Sequence, residues 1–174
     1  YMAVALGAKV AFAEDVSKLQ QNLTEVRPTV MVSVPRIYEK VHAGILAKVA
    51  DAPGIKKAIF NFAIKTAAQN LPYVCESKKP GGLLARKVAI ADKLVFSKLK
   101  ETLGLDRLKF AVSGGAPLSV SDAEFFLGMG IIILEGFGLT ETTPVTNANM
   151  PGMIKPGTVG PALKDTTIKI SDEG

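Results

Sequence analysis

Apolar residues recur at three- and four-residue intervals in some stretches and form short β-branched runs in others, and the two patterns alternate. Such alternation predicts an α/β fold, a mainly parallel sheet flanked by helices. Lys9 to Phe12 reads as a brief strand, after which Asp15 caps a helix with Val16, Leu19, Leu23 and Val26 on one face. Thr29 to Val34 is a β-branched strand closed by Pro35. Ile37, Val41, Ile45 and Val49 mark the next helix, which Pro53-Gly54 ends. Helices are also expected over 55–70 and where Leu84, Val88, Ala91, Val95 and Leu99 repeat. Between them, Leu71 to Gly82 contains two prolines, two glycines and two lysines and reads as a surface loop.

The second half repeats the strand-to-helix alternation. Leu108 to Ser113 is a strand, Gly114-Gly115-Ala116-Pro117 a turn, and Ser119 the cap of a helix with Asp122 three residues on. Ile131 to Leu134 is the next buried strand. From Gly136 onward Gly, Thr, Asn and Pro dominate, until Thr166 to Ile170 alternates like a half-exposed strand. There is no internal repeat and no low-complexity segment.

Composition narrows the class. The 174 residues are 48% hydrophobic and 21% charged, enough apolar material for one core without a metal or disulfide staple. The single cysteine, Cys75, and single histidine, His42, exclude an internal disulfide and a Cys-rich zinc site, and point to a reducing, cytoplasmic compartment. No apolar run reaches the roughly 18 residues of a membrane span, so a soluble chain is expected. The opening Tyr1 to Gly7 lacks a basic start and a cleavage signal, and the chain stops on Ser171-Asp172-Glu173-Gly174. Neither end reads as a natural terminus, and an excised piece of a larger protein is expected.

The net charge of +5 is concentrated. Lys78 to Lys109 holds nine basic and three acidic side chains, a local balance of +6 that leaves the remainder at −1. Without interleaved aromatics or a reading motif this stretch does not predict nucleic-acid binding. It reads as a solvated helix face, or as a peripheral contact with an anionic membrane surface.

Two constellations carry chemistry. Ser113-Gly114-Gly115-Ala116-Pro117 joins a strand to a helix, where small residues let a ligand approach the backbone. Glu135-Gly136-Phe137-Gly138-Leu139-Thr140-Glu141-Thr142-Thr143-Pro144 follows the next strand. Its glycines make room for a flat ligand, Phe137 supplies an aromatic face, Thr140 a hydroxyl for a phosphate oxygen, and Glu141 a hard carboxylate suited to Mg²⁺. Gly136-x-Gly138 is not a dinucleotide fingerprint, because Glu141 stands where the third glycine belongs. No Gly-x-Ser-x-Gly occurs, and His42 reads as structural. Cys75 reads as an incidental loop thiol, or one acidified by Lys78 and Lys79. Phe125, Phe126, Leu127 and Met129 read as core.

In order and spacing, Ser113 to Leu118, Gly136 to Pro144 and Lys155-Pro156-Gly157-Thr158-Val159-Gly160 resemble the adenylate-forming acyl-CoA synthetases. Arg27-Pro28-Thr29-Val30, Val34-Pro35-Arg36-Ile37-Tyr38-Glu39-Lys40 and the helical insert over about 36–100 look like the long-chain fatty acyl branch. The resemblance implies an interior fragment of the large N-terminal AMP-binding domain, without the C-terminal lid domain. By the same resemblance Gly114, Gly115, Ala116, Pro117, Glu135, Gly136, Phe137 and Gly138 form the adenine side of an ATP/AMP site. Thr140 binds the α-phosphate, Glu141 coordinates Mg²⁺, and these two are the catalytic residues. One departure is that the aromatic, commonly Tyr in the family, is Phe137 here, so stacking survives and a phenol hydrogen bond does not. The implied substrates are fatty acid, ATP and coenzyme A, with the phosphate loop, ribose aspartate and catalytic lysine outside this chain. The competing expectation is a non-catalytic nucleotide- or acyl-binding module at membrane surfaces.

Overall fold

A computed structural model describes Ala5 and residues 7–172. Tyr1 to Val4, Leu6, Glu173 and Gly174, the outermost residues of the two ends read above, lie outside the described residues. The elements run α1 (Leu19–Val26), β1 (Val30–Ser33), α2 (Pro35–Ala50), α3 (Gly54–Cys75), α4 (Gly82–Ala91), a π-helical turn (Asp92–Phe96) and α5 (Ser97–Thr102). They continue through β2 (Phe110–Ser113), α6 (Val120–Gly128), β3 (Ile133–Gly138), a 3₁₀ turn (Thr140–Thr142) and β4 (Val145–Ala148).

The sheet order is β1-β2-β3-β4, with the first three strands parallel and β4 antiparallel to β3. Register pairs Met31 with Ala111 and Ala111 with Ile133, so one face of the sheet turns these residues toward the helices. There Tyr38, Phe126, Met129 and Ile131 complete a core that continues to Phe60, Ala63 and Ala67 on α3. The opposite face carries Val30 and Val32, both exposed, beside half-buried Phe110, Val112 and Leu134.

Helix starts follow local chemistry. Pro35 occupies the first turn of α2, where its missing N–H costs nothing. Ser119 caps α6 by accepting a hydrogen bond from the Asp122 amide at 3.1 Å. Small residues let α3 and α6 meet: a Cβ on Gly128 would lie 2.8 Å from that of Ala67. Tyr38 anchors α2 to the sheet by donating its hydroxyl to the Val112 carbonyl at 3.0 Å and meeting Phe126 edge-on. Burial pushes its pKa well above the ordinary value.

Four expectations are corrected. Lys9 to Phe12 forms no strand; Phe12 is exposed, and no described strand pairs there. Asp15 caps its own turn through the Ser17 amide, and α1 starts only at Leu19. Leu71 to Gly82 is not one loop, because α3 runs through Pro72 to Cys75. A proline one turn from a helix end forfeits a single hydrogen bond, and the packing of Ala63, Thr66, Ala67 and Asn70 outweighs it. Thr166 to Ile170 has the alternation of a strand and no partner strand among the described residues, and it is irregular. Among the described residues no helix is long and apolar enough to cross a membrane.

Candidate functional site

The parallel pairing of β2 and β3 ends at Ser113 and Glu135, and the two glycine-bearing motifs begin there, the second running through the last residues of β3. Gly114 follows β2, and its amide donates to the Ser33 carbonyl at 3.3 Å, which ties the turn to the end of β1. Gly115 has φ +83°, a conformation that side chains resist. A Cβ on Gly114 would stand 3.5 Å from the Gly136 carbonyl oxygen, so the two motifs lie in van der Waals reach of each other. Gly115, Ala116 and Pro117 are exposed.

The second motif is built as a stiff hairpin. On Gly138 a Cβ would fall 1.7 Å from the Pro144 carbonyl oxygen, so only glycine permits this close approach. Thr142 staples the 3₁₀ turn: its hydroxyl accepts from the Leu139 amide at 2.9 Å and lies 2.7 Å from the Pro144 carbonyl as donor. Thr143 carries φ +63° at the turn's end. Past the turn, β4 returns along β3, and Thr146 donates its hydroxyl to the Phe137 carbonyl at 3.3 Å.

Within this frame the candidate residues separate by what their side chains do. Phe137 is 49% exposed, with its ring available for stacking. Thr140 and Glu141 are exposed and make no side-chain hydrogen bond or ion pair among the described residues. Glu135 is different. It is 6% exposed, and its Oε1 accepts from the Leu118 amide at 3.0 Å, so it holds the Gly114–Pro117 turn from beneath.

Among the described residues no three His, Cys, Asp or Glu side chains cluster as a metal site. Glu141 therefore offers one carboxylate, which fits Mg²⁺, an ion that keeps several waters and takes its other oxygens from phosphate. The open glycine cradle, exposed ring and free hydroxyl beside it fit a nucleotide.

Two structural details were not legible beforehand, the task of Asn149 and the burial of Ser113, the first residue of the first motif. Asn149, 3% exposed, accepts from the Lys155 amide at 3.0 Å and donates to the Thr158 carbonyl, so it docks the 155–160 loop beside β4. Ser113 is fully buried, with a hydroxyl that finds no partner among the described residues. Neither detail carries a sequence signal, because the partners of Asn149 and the cover over Ser113 are brought in by folding.

The groups set aside from the chemistry have structural tasks. His42 Nδ1 lies 2.6 Å from Asp122 Oδ1 and its ring stacks on Phe125 at 3.8 Å. Cys75 ends α3, and burial, with Glu124 and Glu76 nearby, raises its thiol pKa, the reverse of acidification. Phe126, Leu127 and Met129 are buried.

The paired loops fit a nucleotide, and residues 1–174 match the family described as AMP-binding enzyme. The chain belongs to that family. It is 39% identical over 165 residues to the long-chain-fatty-acid–CoA ligase FadD15 of Mycobacterium bovis, covering 95% of this chain and 27% of the relative. To the human long-chain-fatty-acid–CoA ligase ACSBG2 it is 35% identical, covering all of this chain and 27% of the relative. The peroxisomal long chain acyl-CoA synthetase 6 of Arabidopsis thaliana is 36% identical, with 98% of this chain and 23% of the relative covered. The chain thus spans about a quarter of the length of the curated relatives it matches. The crystal structure of the anthranilate CoA ligase AuaEII in complex with anthranoyl-AMP matches with a TM-score of 0.52, at 17% identity, over 96% of this chain and 23% of that one. At that identity the likeness speaks to fold.

Proposed function

We propose that the full-length protein activates a long-chain fatty acid to its coenzyme A thioester through an acyl-adenylate, and that this chain is an interior piece of its large N-terminal domain. The observation that carries the reading is the meeting of the 114–117 turn and the 136–141 hairpin at adjacent strand ends, with Thr140 and Glu141 uncommitted.

In this reading Gly114, Gly115, Ala116 and Pro117 leave space for adenine, Phe137 stacks on it, and Gly136 and Gly138 shape that edge by letting β4 and Pro144 close against β3. Glu135 keeps the turn in register from below. A carboxylate oxygen of the fatty acid attacks the α-phosphorus of ATP, the bond to the β-phosphate bridging oxygen breaks, and pyrophosphate leaves. Thr140 orients the α-phosphate by donating its hydroxyl. Glu141 would hold Mg²⁺, which when bound supplies charge neutralisation along the phosphates. The sulfur of coenzyme A then attacks the acyl carbon, its thiol proton passes to solvent, and AMP departs. The protein's share is positioning and charge stabilisation.

The test is acid-dependent exchange between ATP and pyrophosphate in the full-length protein across fatty, aryl and amino acids. Exchange is expected with long-chain fatty acids first, followed by thioester formation, and absence of exchange with every acid overturns the reading. The isolated 174-residue chain is expected to bind AMP weakly and to form no thioester.

The protein in this reading is cytoplasmic and rests peripherally on anionic membranes through the basic stretch. What favours this is that Leu83, Ile90 and Leu94 are 68%, 49% and 48% exposed along the same segment as Arg86, Lys87 and Lys93. Apolar side chains beside cations are the pattern of an interfacial helix. Lys100 takes no part, since it donates to Asp92 at 3.1 Å. Sedimentation with anionic vesicles should fall when Arg86, Lys87 and Lys93 are neutralised, and unchanged sedimentation removes the contact.

A further inference from the structure

The turn from Gly114 to Pro117 presents backbone and small side chains, so its place in the site is set by what holds its two ends. On the way in, the Gly114 amide is tied to the Ser33 carbonyl at the end of β1. On the way out, the Leu118 amide meets Glu135. The next residue, Ser119, caps α6, and its hydroxyl both accepts from the Asp122 amide and donates to the Asp122 carboxylate. Asp122 is 7% exposed, and its other oxygen, Oδ1, lies 2.6 Å from His42 Nδ1. A carboxylate only accepts, so His42 donates through Nδ1.

Two ties lead from the surroundings of this turn to one helix. Tyr38 and His42 stand four residues apart on α2, and so on one face of it. Tyr38 donates to the Val112 carbonyl on β2, two residues before the turn, and His42 to Asp122 on α6, five residues after it. Helix α2 thus spans the turn as a splint, fixed to the strand that enters it and to the helix that leaves it. Pro35 begins α2 two residues past Ser33, whose carbonyl holds Gly114, so the circuit closes on itself. The His42 ring is kept in place by stacking on Phe125 with 22° between the planes and by meeting Phe126 edge-on. Hydrogen bonds to a carboxylate are among the strong ones, and leaving a buried carboxylate oxygen unpaired is costly. The His42–Asp122 bond therefore resists being pulled apart.

We infer that His42 and Asp122 are positioning residues of the site, a hydrogen-bonded pair that fixes where the Gly114–Pro117 turn stands and, through it, how tightly adenine is held. The inference rests on the nucleotide reading of that turn and adds to it two residues that touch no ligand. An ordinary core contact serves stability wherever along a helix it stands. This pair holds the first turn of α6, the segment into which the ligand turn runs directly. A tilt there moves Leu118 and Ser119, and the backbone of Ala116 and Pro117 with them. Displacements of about 1 Å already matter to a positioned ligand. Adenine lies away from the reacting phosphorus, so its contacts are the same before and during the reaction, and their loss is expected in nucleotide affinity and not in turnover.

The full-length protein is tested with variants that separate the two contacts of His42. His42→Phe keeps a ring on Phe125 and removes the donor, whereas His42→Asn gives up the ring and keeps an amide N–H where Nδ1 stands. His42→Phe should raise the KM for ATP and the Kd for AMP about tenfold, with kcat and the KM values for fatty acid and coenzyme A within about twofold of wild type. In His42→Asn the KM for ATP should return to within about threefold of wild type. Ile45→Val thins the core contact of the same helix one turn on, and should lower the melting temperature while leaving the KM for ATP unchanged. Hydrogen exchange without substrate reads the turn itself: the Gly114, Leu118 and Asp122 amides should exchange about fivefold faster or more in His42→Phe than in Ile45→Val. A wild-type KM for ATP in His42→Phe, an equal rise in Ile45→Val, no recovery in His42→Asn, or unchanged exchange at those amides overturns the positioning role. A wild-type protein that adenylates no acid defeats the ligase reading alone, because amide exchange and AMP binding still judge the pair.

Discussion

Glu135 and Glu141 stand six residues apart and answer to opposite physical demands. Glu135 lies on the buried stretch of β3, where a carboxylate costs several kcal/mol unless it is hydrogen-bonded, and the Leu118 amide supplies that bond. Glu141 sits on the exposed turn past the strand end, with no side-chain partner among the described residues. One half of the motif thus spends its polar groups on holding shape, through Glu135, Thr142 and Thr146. The other half leaves Phe137, Thr140 and Glu141 free. The difference teaches that one loop can carry both scaffold and uncommitted groups, and in the proposed reading the uncommitted ones meet the ligand.

This division can be broken from either side. The largest effect is expected in the scaffold: Phe126→Ala empties a fully buried position beside Tyr38 and should cost about 3–5 kcal/mol of stability, read from the urea midpoint. On the free side, Glu141→Gln should slow ATP–pyrophosphate exchange by roughly 10²-fold, about 3 kcal/mol, with an unchanged melting temperature. Wild-type exchange at limiting Mg²⁺ would show that Glu141 does not hold the metal. Glu135→Leu should produce the mirror image, a stability loss of about 1–3 kcal/mol from the orphaned Leu118 amide, largely restored in Glu135→Gln. Phe137→Ala should raise the KM for ATP by about tenfold and Phe137→Tyr leave it near wild type, since stacking on a base is worth roughly 1–3 kcal/mol.

The smallest expected effect is a pH dependence outside both halves. Arg27 holds the half-buried Asp106 carboxyl below its ordinary value near 3.8. A depressed carboxyl stabilises the fold above its unfolded pKa, and that contribution disappears as pH falls through the lower folded value. Asp106→Asn should therefore lower the melting temperature slightly at neutral pH and make no difference once the medium is acid enough to protonate both states. Screening by 0.5 M salt should shrink the neutral-pH difference.

The order of α2, α3, β2, α6 and β3 was legible because each is set by local periodicity, and Ser119 capping α6 was legible because a cap needs only its neighbours. The glycine, aromatic, threonine and glutamate types of the site were also written in the sequence, since ligand chemistry restricts residue type. What distinguishes Glu135 from Glu141 was not, because the same carboxylate is scaffold or site according to whether folding brings an amide beneath it. Pro72 inside α3, the pairing of β4 with β3, and the missing partners of 9–12 and 166–170 depend likewise on what lies alongside. The sequence by itself determined most of the helices, the central strands and the residue types at the candidate site. Tertiary structure decided which polar groups were spent, because hydrogen-bond satisfaction is a property of contacts between distant segments and not of any one of them.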